Sequence, residues 1–434
     1  MSKVAFHTLG CKVNQYETEA MAELFEKNGY EVVHEDEIAD VYVINTCTIT
    51  NLGDRKSRQF IRRAKNNNPD AVVAVVGCYA QTASEEIMAI DEVDIIIGTK
   101  DRNRIVELSN RVRESKEKIN IVTDIMKQHE FEEMMIENIE GKTRAFLKIQ
   151  EGCNQFCSYC IIPYARGPIR SRKLENILTE VDKLAKSGFK EVVLTGIHIA
   201  SYGKDMGEIR LIDVIESVHQ ISGIERIRLG SIEPTIVTKE FLDRLTKLPK
   251  ACDHFHLSLQ SGSDSVLKRM NRKYSTDEYR KIVELIREYM PNAGITTDII
   301  VGFPGETEEE FSETCRLVNE IGFSKIHVFP YSPRKGTPAA KHKNQLPGNI
   351  KQLRSKELIK IGDENTQKFN EKFISSTLDV LFEEQSKISM DFIEGYTTNY
   401  IRVLAKADTL FEGKILPVEL EKVQGENMVG KILY

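Results

Sequence analysis

The 434-residue chain lacks a net positive charge: 60 lysines and arginines stand against 66 aspartates and glutamates, leaving −6 at neutral pH. That excludes a globally basic nucleic-acid coat, so contact with an anionic polymer has to come from local patches. No apolar run approaches the roughly 18 residues needed to cross a bilayer, and stretches such as 72–77 and 94–98 are strand-sized. The first residues, MSKVAFHTLGC, carry one lysine and no sustained apolar core, so no secretory leader is expected. Neither a second CxxC nor a pair of histidines at finger spacing follows the main cysteine cluster, which removes the common zinc ribbons and fingers. There is no internal repeat and no low-complexity tract. No membrane association is expected, and the cytoplasm is the expected compartment. There thiols stay reduced, and clustered cysteines read as metal or catalytic sites.

Hydrophobic residues make up 41% of the chain and charged residues 29%, the balance of a globular protein, and the length suits about three domains. Residues 1–117 alternate short valine- and isoleucine-rich runs (4–9, 41–45, 71–77, 93–98) with helical patterns at 17–28, 54–67, 84–89 and 102–116. Such alternation predicts a parallel sheet covered by helices. Residues 118–138 are acidic and methionine-rich and read as a linker. From 139 to 371 a second series offers six strands (145–150, 191–194, 226–230, 254–260, 295–301, 325–330) with helices between them, and ends in a long helix near 349–372. Six strand–helix units predict an open, partial (βα)6 barrel, since a closed one needs eight. Residues 372–434 hold only strand patterns, at 377–383, 391–397, 400–405 and 414–423. They predict a small antiparallel β-barrel.

The stretch EGCNQFCSYC places Cys153, Cys157 and Cys160 just past the first strand of the second series, at the strand end where α/β folds bind ligands. Soft thiolates suit iron–sulfur clusters. Three of them on a four-iron cluster leave one iron open to an exogenous ligand. Cys11, Cys47 and Cys78 lie far apart in sequence, yet each follows a predicted parallel strand by one or two residues. Neighbouring strands are about 4.8 Å apart, so the three can converge on one sheet edge as a second cluster site; the alternative is three packed core thiols. Cys252 and Cys315 have no such company and read as packing residues.

CxxxCxxC with an aromatic before the last cysteine resembles the radical SAM signature. The motifs TLGCKVNQYE, NTCTIT, VVGCYAQ and EGCNQFCSYCIIPYARGPIRSR resemble the methylthiotransferase family of radical SAM enzymes, closest to the branch acting on tRNA threonylcarbamoyladenosine. The resemblance covers the whole chain. It implies a radical SAM 4Fe–4S cluster on Cys153, Cys157 and Cys160, an auxiliary 4Fe–4S cluster on Cys11, Cys47 and Cys78, and a terminal TRAM domain that contacts substrate. It also implies S-adenosylmethionine as radical source and methyl donor, a tRNA substrate, an external electron donor and a sulfur source. The expected reaction turns the C–H at carbon 2 of the modified adenosine beside the anticodon into C–S–CH3. Alternatives are another tRNA adenosine, a ribosomal-protein aspartate, or a metal-stabilised RNA-binding protein without turnover.

Within that scheme Thr195, Gly196, Glu233, Gln260, Ser261, Gly302, Pro304 and Gly305 follow barrel strands and are the expected S-adenosylmethionine contacts, each being open also to a loop or rim role. Local basic patches lie at Arg55, Lys56, Arg58, Arg62, Arg63 and Lys65, at Arg166, Arg170, Arg172 and Lys173, at Lys268, Arg269, Arg272 and Lys273, and from Arg334 to Lys343. Arg166, Arg170 and Arg172, with Tyr396, Tyr400 and Arg402, are the expected RNA contacts; Asn399 sits among the latter. Tyr331 and Arg334 are expected to face substrate. His254 and His256 read as packing inside the barrel, not as ligands.

Overall fold

The computed structural model describes all residues except 50, 137–142, 208, 388–390, 408–410 and 434, and only the backbone of 51–52. The apolar runs of the first third become six parallel strands: β1 (Ser2–Thr8), β2 (Tyr30–Val33), β3 (Val41–Thr46), β4 (Val72–Gly77), β5 (Ile95–Ile97) and β6 (Ile119–Asn120). Their order is β2-β1-β3-β4-β5-β6. Every residue of β3 and β4 is buried, as expected where helices cover both faces of a parallel sheet. β2 and β6 carry no sequence signal because they are short edge strands of four and two residues. Helix α1 (Lys12–Lys27) starts five residues before the expected Glu17, directly after Cys11. No side chain caps its first turn, so the usual sequence mark of a helix start is missing. Its apolar face, including Tyr16, Met21 and Phe25, is fully buried.

The second unit runs through β7 (Arg144–Glu151), β8 (Arg170–Ser171), β9 (Glu191–Gly196), β10 (Arg226–Leu229), β11 (Ser231–Ile232), β12 (His254–Leu257), β13 (Gly294–Val301) and β14 (Lys325–Pro330). These form two sheets, β10-β9-β7-β8 and β11-β12-β13-β14. β10 and β11 are successive pieces of one segment broken at Gly230, so the array reads as six parallel strands from β7 to β14. The outer strands β7 and β14 do not pair with each other. The barrel is therefore open on that side, as six units predict.

The terminal unit closes β15 (Thr377–Gln385), β16 (Phe392–Tyr396), β17 (Arg402–Lys406), β18 (Ile415–Gln424) and β19 (Asn427–Ile432) in the order β15-β16-β17-β19-β18. Four pairings are antiparallel; β17 and β19 run parallel. The fifth strand, which the sequence pattern did not reveal, supplies that parallel closure.

One hydrophobic core runs from β1, β3 and α1 through the open barrel to Leu358, while the opposite face of the first sheet and the terminal barrel each have a core of their own. Residues 118–136 do more than connect. They add β6, bury Met134 and Ile136, and place Glu132 and Glu133 on Arg102 and Arg172. The terminal barrel docks on the starts of β9, β10 and β12. Arg226 donates to the carbonyls of Tyr396 and Asp379 at 2.8 Å each, and Arg228 to those of Thr398 and Thr397 at 2.9 and 3.0 Å. Among the described residues no helix is long and apolar enough to cross a membrane.

Candidate active site

β1, β3 and β4 are neighbours, and each delivers a cysteine at its C-terminal end: Cys11 just beyond Thr8, Cys47 after Thr46, Cys78 after Gly77. Thr46 and Gly77 are in register, so Cys47 and Cys78 stand side by side. The approach is close: Gly10 has φ +114°, and a Cβ there would fall 2.8 Å from the Cys47 Cβ. Only glycine lets the two loops meet. Burial, followed by the neighbouring Cys78 thiol, pushes Cys47 up to about 12. Burial also raises Cys78, against the pull of Arg166.

The second trio sits in the loop after β7. Cys153 and Cys157 are buried, and the loop is fixed by hydrogen bonds from Cys153 N to Gly167 O and from Ser158 N to Met270 O. Phe156 takes a left-handed φ of +48° and faces solvent, whereas Tyr159 packs toward Phe303 and Tyr331. Burial, with the Cys157 thiol second, pushes Cys160 up to about 12, and burial moves Cys153 to about 11. Arg272 reaches Cys157 Sγ at 3.5 Å while holding both oxygens of Glu233 at 3.0 and 2.9 Å.

Both trios offer the soft donors that iron–sulfur clusters take. Two thiolates on one zinc stand at most about 4.6 Å apart, twice a Zn–S bond of about 2.3 Å. Among the described residues only His256, Asp298 and His327 bring three ligand atoms within 4.8 Å of one another. Neither cysteine trio meets that spacing.

Between the N-terminal sheet edge, the open side of the barrel and the terminal barrel lies a cavity of about 690 Å³. Gly10, Cys11 and Lys12 form one wall, Thr195 and Gly196 another, and Tyr396, Tyr400 and Arg402 a third. His254, His256, Thr296, Asp298 and His327 line it from β12, β13 and β14. His254 stacks on Tyr400 with centroids 4.5 Å apart, and Tyr400 on Tyr396 at 4.9 Å. Burial, then Arg228, holds the His254 pKa well below the usual imidazole range. Both histidines sit inside the barrel, as expected, with one ring nitrogen each on the Thr296 hydroxyl, and both also border the cavity.

The expected S-adenosylmethionine contacts divide. Thr195 and Gly196 border the cavity, and Glu233 lies one residue, Arg272, away from Cys157. Gln260 adopts φ +68°, and Ser261 is buried against Thr314. Pro304 is buried, Gly305 has φ +76°, and Gly302 has a packing reason: a Cβ there would meet Lys351 Cγ at 2.5 Å.

Three expected RNA contacts are corrected. Arg166, Arg170 and Arg172 are 0, 2 and 0% exposed, out of reach of a phosphate. Arg166 donates to Cys78 Sγ at 3.1 Å, Asn14 Oδ1 at 2.6 Å and Glu151 Oε1 at 2.6 Å. Arg172 pairs with Glu133 and Glu180. Arg334 is likewise buried, on Thr48 and Asp54 at 2.6 Å each, and Tyr331 packs against Phe303; neither faces the cavity. Exposed cations also stand on the helix Asn51–Asn67 that follows Cys47, among them Arg55, Lys56 and Arg62. Asn14, Lys12 and Asp298 were not singled out from the sequence. They sit on separate elements whose meeting no local pattern signals.

The radical SAM superfamily pattern matches residues 147–318, and uncharacterized protein family UPF0004 matches residues 3–98. The threonylcarbamoyladenosine tRNA methylthiotransferase MtaB of Bacillus subtilis (strain 168) is 46% identical over 97% of this chain and 94% of its own length. The protein of the same name from Aquifex aeolicus (strain VF5) is 43% identical over 92% and 96%. A tRNA-2-methylthio-N(6)-dimethylallyladenosine synthase of Clostridium tetani (strain Massachusetts / E88) is 36% identical over 98% and 95%. Among solved structures, the radical S-adenosylmethionine methyltransferase TsrM from Kitasatospora setae shares the fold, with a TM-score of 0.56 at 14% identity over 78% of this chain and 77% of its own. The two cysteine trios, the open barrel between them and these near-full-length relatives agree: the chain belongs to the methylthiotransferase family of radical SAM enzymes.

Proposed function

We propose that the protein methylthiolates carbon 2 of N6-threonylcarbamoyladenosine next to the tRNA anticodon, using S-adenosylmethionine as radical source and methyl donor. In this reading residues 1–117 carry an auxiliary 4Fe–4S cluster on Cys11, Cys47 and Cys78. Residues 139–371 carry the radical SAM cluster on Cys153, Cys157 and Cys160, residues 118–138 strap the two together, and 372–434 form the substrate-contacting terminal module. An external electron donor and a sulfur source complete the system. When bound, the clusters and S-adenosylmethionine supply the radical chemistry that an unactivated purine C–H requires.

The observation that carries the reading is the shared cavity: Cys11 of one trio and Thr195 and Gly196 of the barrel rim border the same space. A base placed there meets both halves of the chemistry at once. The chain's own residues orient it: Tyr396 and Tyr400 offer stacked rings, while Thr195, Gly196 and Glu233 are the contacts assigned to S-adenosylmethionine. The cavity walls carry histidines, Thr296, Asp298, Lys12 and Lys325. That lining suits a polar, charged N6 substituent better than an apolar dimethylallyl group, whose burial would leave Lys12 and the open nitrogen of His254 unpaired. Arg55, Lys56 and Arg62 give the RNA backbone an exposed basic face.

Mass spectrometry of tRNA nucleosides from a strain lacking this gene tests the substrate. The expected result is loss of 2-methylthio-N6-threonylcarbamoyladenosine and accumulation of its unthiolated precursor; an unchanged nucleoside profile overturns the assignment.

A further inference from the structure

Lys12, in the cavity wall, is the first residue of α1 and adjacent in sequence to Cys11, and its ammonium stands 5.8 Å over the Phe146 ring. The other large cations around this space are committed. Arg144 is paired with Glu383, Arg228 with Glu191, Lys325 with Glu426 and Arg402 with Glu394. Among the described residues Lys12 makes neither an ion pair nor a hydrogen bond. The first turn of α1 is uncapped and contains no acidic residue, so its free N–H groups and the positive end of the helix add to the same field.

One further polar atom in this cavity lacks a partner. His254 is 4% exposed, and its Nδ1 is buried without a hydrogen bond, whereas His256 Nε2 stands 3.2 Å from the Asp298 carboxylate. Their other ring nitrogens both meet the Thr296 hydroxyl, at 3.0 and 2.9 Å. Buried polar atoms left open cost stability unless a ligand meets them. The cavity therefore presents one uncommitted cation and one unmatched ring nitrogen, a lining complementary to an anion carried on a polar arm.

We propose that Lys12 binds the carboxylate of the amino-acid arm on the substrate adenosine, with His254 bonding the polar remainder of that arm, so that Lys12 is a specificity-determining residue. This rests on the substrate reading above. The base is thereby held by its N6 arm, and its reacting carbon carries none of these contacts. A neutral arm gains nothing from the ammonium, and an apolar one leaves both the cation and His254 unmatched.

The test uses anaerobically reconstituted full-length holoenzyme and anticodon stem-loop RNAs carrying threonylcarbamoyladenosine or its neutral carboxamide analogue. Binding is read by fluorescence anisotropy and methylthiolation by mass spectrometry. Wild-type protein is expected to prefer the acid to the amide by about tenfold or more, the size of one charge-assisted contact. Lys12→Gln is expected to lose that preference by weakening binding of the acid alone, and Lys12→Arg to retain most of it. Iron content and the electron paramagnetic resonance of the reduced clusters are expected to match wild type in both variants, which separates ligand binding from damage at Cys11. Equal losses on acid and amide, or no preference in the wild type, overturn the assignment of Lys12. Wild-type enzyme that cleaves S-adenosylmethionine yet leaves both RNAs without a methylthio group overturns the substrate reading instead.

Discussion

The Nε of Arg166 donates to the Sγ of Cys78 across 3.1 Å. Arg166 ends the short helix Ile162–Arg166, which directly follows the Cys153–Cys160 loop, while Cys78 belongs to the other trio. One stretch of backbone thus shapes one thiol site and supplies a hydrogen bond to the second. Hydrogen bonds to cluster sulfurs are among the levers that set their redox behaviour.

Arg166→Lys is expected to impair sulfur insertion by ~10–100-fold, the usual cost of losing a group that orients a metal ligand, while 5′-deoxyadenosine formation stays within about threefold. Lysine keeps the charge but has no fork to serve Cys78, Asn14 and Glu151 together. Parallel assays of the two products check the split.

Cys157→Ala is expected to abolish reductive cleavage of S-adenosylmethionine, because a cluster left with two thiolates does not persist. Cys47→Ala is expected to keep part of that cleavage and lose sulfur insertion. Wild-type protein refilled anaerobically is expected to hold about eight irons, and each variant about four. Iron quantitation and a 5′-deoxyadenosine assay on the same samples check it.

Glu17 lies at the centre of a buried network with Arg102, Lys148, Arg166 and Glu151. Burial alone would raise its pKa, but Arg102, Arg166 and Lys148 outweigh it and bring the carboxyl from 4.5 down to about 2. A carboxylate depressed on folding adds stability above its unfolded pKa and loses it as the pH falls through the folded value. The contribution of Glu17 is therefore complete at neutral pH and is expected to fade between pH 4.5 and about 2. Glu17→Gln is expected to cost about 3–5 kcal/mol at pH 7, since it leaves buried cations uncompensated, and to flatten the acid limb. Denaturant titrations across pH check both.

Arg228 ties the terminal barrel to the central one through two carbonyls and stands 4.7 Å over the Tyr400 ring. Arg228→Met is expected to loosen that docking, exposing residues 372–376 to protease and weakening RNA binding. Limited proteolysis against anisotropy measures the effect.

The thiol sites were legible because both depend on local patterns: a cysteine at the end of each apolar run, and a motif of fixed spacing. The parallel sheet covered by helices followed from strand–helix alternation. The fate of the arginines in ARGPIRSR was not legible. A run of cations reads as a solvated surface, and the carboxylates that draw these side chains inward, Glu17, Glu133, Glu151 and Glu180, are scattered over more than a hundred residues. The cavity was hidden for the same reason, since its walls come from all three units. β19 escaped notice because a two-residue turn, Gly425–Glu426, joins it to β18 without interrupting the strand-like pattern.

β14 has no strand beyond it, and β7 pairs there only through the two residues of β8, which makes the central unit a vestibule with a side door. A nucleobase locked in a double helix is sheathed by its partner strand and cannot pass such a door, whereas one swung out of an unpaired loop can. The missing fourth pair of strand–helix units would thus select for hairpin tips before any side chain reads the base.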